Sequence, residues 1–169
     1  MKQLIDAIGH DSLVGARRIL EEEDIDLNTI RVVCDEYDPD DPDEMPLFLW
    51  VVYADVSMEM LEMLVSYGLD ITQVNREGLG AIDAAIKQKR LDIIQLCHAH
   101  GVSLVETHRR SGMTPLMAAA SFGNRQLVDF FLSQGADPAQ RDKRGTDAAE
   151  YARILGHTTL SKYLLTKIQ

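Results

Sequence analysis

Thiols are scarce in this chain. Cys34 and Cys97 are its only cysteines and they form no CxxC pair. A zinc site or a disulfide framework would need closer and more numerous thiols, so two free thiols in a reducing compartment are the expectation. Long hydrophobic runs are missing as well. The longest, Pro46 to Ala54, falls far short of the roughly 20 residues that span a bilayer. The stretch Met1-Lys2-Gln3-Leu4-Ile5-Asp6 is broken by an acid and has no small-residue cleavage site. These absences predict a soluble, cytoplasmic protein. Catalytic signatures are equally absent: no G-x-x-x-x-G-K-[ST], G-x-S-x-G, H-E-x-x-H or G-x-G-x-x-G occurs. Gly78-Leu79-Gly80 is a lone G-x-G without the third glycine. His98 and His100 are two apart, which on a helix turns them to different faces and disfavours a shared metal. No catalytic residue, metal ligand or cofactor is expected.

Positive charge is in deficit, with 17 Lys and Arg against 27 Asp and Glu. The deficit is uneven. Residues 1–72 carry 18 acids against Lys2, Arg17, Arg18 and Arg31, whereas residues 73–169 carry 13 basic side chains against 9 acids. A net charge of −10 argues against a nucleic-acid binder, which needs a basic footprint on phosphates. It suits a basic protein partner, whose opposite charge speeds encounter and fixes register. The apolar fraction of 46% and the charged fraction of 26% belong to a globular chain and exclude disorder.

Within this composition a pattern recurs. Its clearest copy runs Gly112-Met113-Thr114-Pro115-Leu116-Met117-Ala118-Ala119-Ala120-Ser121-Phe122-Gly123-Asn124 and continues to Gly135. Thr114 reads as an N-cap, and Pro115 as the first helical residue, where its missing N–H costs nothing. Ala118, Ala119 and Ala120 allow neighbouring helices to approach closely. Gly123-Asn124 permits a tight turn, after which Leu127, Val128, Phe131 and Leu132 form an inward stripe that Gly135 ends. The frame returns at Gly145-Thr146-Asp147-Ala148-Ala149-Glu150, with Leu160, Leu164 and Leu165 as its stripe. Upstream, Gly78-Leu79-Gly80-Ala81-Ile82-Asp83-Ala84-Ala85 fits it too, followed by Leu91, Ile93, Ile94, Leu96 and Cys97. The interval from Gly112 to Gly145 equals that from Gly68 to Gly101, and the step from Gly101 to Gly135 is one position longer.

This pattern resembles the ankyrin repeat, whose signature T-P-L-H-x-A returns at a period near 33. Met117 stands where the family usually has histidine. Met45-Pro46-Leu47-Phe48-Leu49-Trp50 keeps the Pro-Leu pair, but its inter-helix turn around Ala54-Asp55-Val56-Ser57 reads as about two residues longer, and Trp50 replaces a small alanine. Leu4 to Leu20 looks like an N-terminal capping repeat. The resemblance implies an all-α solenoid of stacked antiparallel helix pairs with short hairpin fingers. One domain covers 1–169, in repeats of about 1–31, 40–72, 73–105, 106–139 and 140–169. The recurring glycine interval and the Thr-Pro-Leu core set this apart from a generic helical bundle.

Between the first two repeats lies an acidic insertion, residues 34–44, whose prolines and acids forbid helix. A calcium loop would need acids at fixed alternation with a central Gly and a terminal Glu, and these are absent. It reads instead as a lengthened finger or a solvated acidic loop.

If partners dock on finger tips and first helices, as the resemblance implies, the partner-facing residues follow position by position. They are Asp41, Pro42, Glu44, Val52 and Tyr53; then Arg76, Glu77, Leu79, Lys87 and Gln88; then Arg110, Ser111, Met113, Ser121 and Phe122; then Lys143, Arg144 and Thr146. Phe122, Tyr53, Met113 and Leu79 offer apolar anchors among arginines, and aromatic and arginine side chains dominate binding hot spots. The fingers run from acidic to basic, which predicts a partner that is basic against the first and acidic against the last. The implied function is non-enzymatic binding of a protein on the concave face, by a monomer capped at both ends. Three roles stand open: a stoichiometric inhibitor, such as a bacterial immunity protein against a basic toxin; an adaptor joining two partners; and a regulator of an enzyme such as a kinase.

Overall fold

A computed structural model describes residues 1–32 and 45–168. The acidic insertion of residues 34–44, with Asp41 and Glu44, lies outside the described residues. The chain divides into two compact units, Met1–Gln73 and Val74–Gln169.

In the first unit, α1 (Lys2–Gly9) and α2 (Leu13–Glu22) form one helix pair, and α3 (Leu47–Tyr53) and α4 (Met58–Ser66) a second. Two short strands, β1 (Arg31–Val32) and β2 (Met45–Pro46), pair antiparallel with Arg31 opposite Pro46. Leu4, Ile8, Ala16, Leu47, Val51, Met60 and Leu64 are all buried. Trp50 is accommodated because Gly9 faces it: a Cβ there would already touch the indole at 3.3 Å. Asn28 ties the segment after α2 to the end of α4, donating to the Gly68 carbonyl at 2.9 Å and accepting from the Asp70 N–H at 2.8 Å.

The turn between α3 and α4 corrects the expected length. It runs eleven positions from N-cap Pro46 to N-cap Ser57, against ten from Thr114 to Asn124 and from Asp147 to His157. One residue is inserted, not two. The insertion is Val56, which turns inward and is buried, so it adds to the core instead of lengthening an exposed loop.

Asp11 occupies the left-handed region at φ 53°. Its Oδ1 accepts from the Ser57 N–H at 3.1 Å and from the Ser57 hydroxyl at 3.0 Å, while that hydroxyl caps the Met60 N–H. The turn of one helix pair thereby caps the second helix of the next. Asp11→Ala removes these bonds while keeping a side chain in left-handed backbone, and should cost about 1–2 kcal/mol. Asp11→Gly relieves the backbone and should cost less. Urea titration of both variants checks the order.

The second unit contains three helix pairs: α5 (Ala81–Gln88) with α6 (Leu91–Ala99), α7 (Pro115–Ser121) with α8 (Arg125–Ser133), and α9 (Ala148–Ile154) with α10 (Thr158–Leu165). The expected starts are present. The Thr114 hydroxyl accepts from the Met117 N–H at 3.3 Å with Pro115 at the first helical position, and Asp147 accepts from the Glu150 N–H at 2.9 Å. Asn124 caps α8 through the Leu127 N–H. The first helices of the three pairs, α5, α7 and α9, pack side by side. Their contact faces are alanine, with Ala84, Ala85, Ala118, Ala119, Ala120, Ala149 and Ala152 all buried. A larger side chain would hold the backbones apart and strain a close-packed core. The outer helices bury Ile93, Ile94, Cys97, Leu127, Val128, Phe131, Leu160 and Leu164 against them. Leu132, expected in the inward stripe, is half-buried at its edge, and Leu165 is 57% exposed.

Burial and the nearby Asp83 charge push the Cys97 thiol from 9.0 up to about 12. The thiolate, which is the nucleophile, is then about a thousandfold rarer at neutral pH than in a free cysteine. Peptide-resolved labelling with a thiol reagent should leave Cys97 unmodified in the native chain and modify it readily in denaturant. Rapid native labelling would contradict this account of its burial.

Candidate functional site

Three fingers in the second unit present the predicted partner-facing residues. The first and third are built alike. Asn75 Oδ1 accepts from the N–H groups of Glu77 and Leu79 at 3.0 and 2.9 Å. Asp142 Oδ1 accepts from those of Arg144 and Thr146 at 2.9 Å each. In each finger the chain is closed by a backbone pair, Asn75 N–H to Leu79 O at 2.8 Å and Asp142 N–H to Thr146 O at 3.0 Å. Such Asx side chains fold a turn by imitating a backbone carbonyl. Asp142 is buried, and Tyr151 also donates to its Oδ2 at 2.7 Å. Burial by itself pushes this carboxyl up, but the hydrogen bonds from Thr146, Tyr151 and Arg144 overbalance it and hold the group below the usual range.

The middle finger differs. Arg109 holds the place in this repeat that Asn75 holds in the one before and Asp142 in the one after, and an arginine cannot accept. Its guanidinium turns back instead to the first turn of α5, where Nε donates to Asp83 Oδ1 at 2.6 Å. Both side chains are largely buried. The other carboxylate oxygen, Asp83 Oδ2, accepts from the Gly80 N–H at 2.7 Å and so caps α5. A second guanidinium nitrogen lies 2.7 Å from the Met113 sulfur. One buried ion pair thus joins the middle finger to the preceding helix pair.

The fingers are also joined tip to tip. The Arg110 N–H donates to the Glu77 carbonyl at 3.0 Å, and the Lys143 N–H donates to the Ser111 carbonyl at 3.0 Å. Repeating one bond at the same position sets Arg76 and Glu77, Arg110 and Ser111, and Lys143 and Arg144 in a row, all of them exposed. Leu79, Met113 and Thr146 lie just below, half-buried. A second row lies at the far ends of the first helices. It holds Lys87 and Gln88, exposed, and Ser121, half-buried with its hydroxyl donating to the Ala118 carbonyl at 2.7 Å. Phe122 belongs to it and is 41% exposed. A seven-residue helix rises about 10 Å, which separates the two rows.

Tyr53 is half-buried at the end of α3 in the first unit. Val52 is not partner-facing: it is fully buried, because successive residues of a helix point about 100° apart and Val52 turns into the core. Ile154 and Leu155, which the sequence reading did not single out, are 60% and 53% exposed at the end of α9. The signal was available, since they stand one repeat on from Ser121 and Phe122.

Open grooves elsewhere touch neither row. One of about 580 Å³ is lined by residues of α2 and α4 including Glu21 and Glu59, with Tyr67 just after α4, and one of about 490 Å³ by residues of α8 and α10 including Asp129 and Tyr163. Among the described residues no helix is long and apolar enough to cross a membrane, and no three His, Cys, Asp or Glu side chains converge on a metal-sized site.

Comparison with known proteins points the same way as the geometry. A family model for ankyrin repeats in many copies matches residues 82–132. The ankyrin repeat protein nuc-2 of Neurospora crassa is 32% identical over 125 residues, 73% of this chain and 11% of that protein. Mouse ankyrin repeat and SAM domain-containing protein 6 is 31% identical over 85 residues, 50% of this chain and 10% of its own length. The glycerophosphocholine phosphodiesterase gde1 of Schizosaccharomyces pombe is 24% identical over 123 residues, 73% of this chain and 11% of that protein. The chain therefore spans only about a tenth of the length of these relatives.

Proposed function

Because this chain belongs to the ankyrin repeat family, whose scaffold serves as a protein–protein interaction module, we propose that it binds one partner protein without chemistry of its own and acts as a stoichiometric inhibitor of it. The observation that carries this reading is the row of finger tips held in register by backbone bonds between fingers. A row whose backbone is fixed in advance binds with little ordering cost, which favours affinity. The partner docks on tips and first helices, and a basic patch on it meets the acidic first part of the chain. In its most specific form the reading is a bacterial immunity protein that covers the working face of a basic toxin; a kinase or another enzyme is the alternative target. We place the protein in the cytoplasm as a monomer.

The opposite charge of the two units favours a second reading. Residues 1–73 carry 18 acids and 4 bases, and residues 74–169 carry 9 acids and 13 bases. An adaptor would use them for two partners of opposite sign.

Affinity purification of the tagged protein from its own cells, at low and then moderate salt, separates these outcomes. One stoichiometric partner, lost after Phe122→Ala or after charge reversal of Asp41 and Glu44, supports the inhibitor. Several partners retained by different variants support the adaptor. No specific partner at either salt overturns the binding reading itself.

A further inference from the structure

The ends of the first helices in the second unit grade from cationic to apolar. Lys87, Gln88 and Lys89 close α5, Ser121 and Phe122 close α7, and Ile154 and Leu155 close α9. Phe122 and Leu155 occupy the same position in helix pairs that pack directly on one another, and both are the C-cap residues of their helices. Packed helices lie about 8–10 Å apart, so the two side chains stand about that distance apart on a shared ledge. Ile154 widens it, and the three are 41–60% exposed. Large apolar side chains grouped in this way mark an interaction surface more often than single ones do.

Charge decides what covers the ledge. On the flanks, acids and arginines are matched in pairs: Arg90 with Asp92, Arg125 with Asp129, Arg153 with Glu150. At the second and third tips the pattern differs. Among the described residues neither Arg110 nor Lys143 has a carboxylate within salt-bridge distance. The surface between the two rows is thus bordered by cations on its finger side and at its α5 end, and is apolar towards α9.

We infer that the second unit takes an acidic segment of another protein carrying two bulky apolar side chains about 10 Å apart, a spacing met by positions i and i+7 of a helix. The apolar pair seats on Phe122 and Leu155, and the acids face Arg110 and Lys143. This rests on the protein-binding reading above and adds the chemistry of the bound segment. It assigns Ile154 and Leu155 to the interface.

Selection of a random-peptide phage library on the full immobilised chain tests it. The expected peptides are net acidic, share an apolar pair, and weaken as salt rises. Their affinity should fall about tenfold or more for Leu155→Ser, and likewise for Arg110→Glu with Lys143→Glu. Leu155 is exposed, so an unchanged melting temperature will verify that the variant folds. Enrichment of basic peptides, or acidic peptides indifferent to both variants, overturns the inference while leaving the binding reading intact. Absence of any enriched family overturns it too, and the binding reading is then judged separately by the affinity purification.

Discussion

Gly78→Ala is expected to destabilise the protein by about 4 kcal/mol, at the exceptional end of single substitutions. Two costs coincide there. Gly78 has φ 80°, in the left-handed region where an added Cβ meets its own backbone. The same Cβ would overlap the His108 carbonyl, 2.5 Å from its carbon, and lie 2.9 Å from Arg109 Cα. These are backbone atoms and cannot rotate away. Relief requires the first and second fingers to separate, which sacrifices the Arg110 to Glu77 bond and loosens the Arg109 to Asp83 pair. Gly145 supplies the control, because it has φ 81° with nothing within 4 Å of an added Cβ. Gly145→Ala therefore carries the backbone cost alone, about 1 kcal/mol. Urea unfolding of both variants isolates the contact term, and equal losses would mean that the fingers are not in close contact.

Asp83→Ala should cost about 3 kcal/mol, because it strands a largely buried guanidinium and frees the Gly80 N–H at the start of α5. Breaking one side of a buried pair is worse than replacing both. Asp83→Ala with Arg109→Met should accordingly recover much of the loss, since an unbranched apolar side chain fills the guanidinium's path without a charge. A double-mutant cycle by chemical denaturation gives the coupling, expected at about 2 kcal/mol. Additive losses would show that Arg109 and Asp83 stabilise the protein independently.

These two predictions also mark where reading the residues in order succeeds and where it stops. Thr114, Pro115 and the alanines of α7 announce their roles because capping, fixed φ and small volume act locally, within a turn or two of chain. The helix pairs and their inward stripes follow from the same local logic. The Arg109–Asp83 pair joins positions 26 apart, and nothing in either neighbourhood announces it. Only aligning the copies exposes Arg109 as the residue that breaks the Asn75 and Asp142 pattern. Val56 illustrates another limit. As one extra residue in a turn it reads as added loop, yet its apolar side chain finds the core. The exposed place of Phe122 was legible from its own copy, whereas that of Ile154 and Leu155 shows only when the last copy is aligned with the one before it.

The bonds between finger tips give each repeat boundary its own clock. The Arg110 and Lys143 amides are each held by the preceding finger and by nothing in their own helix pair. In a solenoid whose units contact only their neighbours, such an amide exchanges with solvent hydrogen when its own boundary opens, whatever the rest of the chain does. Deuterium uptake at Arg110 thus times the opening between the first and second fingers, and uptake at Lys143 times that between the second and third. A partner that spans all three tips would slow both clocks together, while one seated on a single boundary would slow only its own.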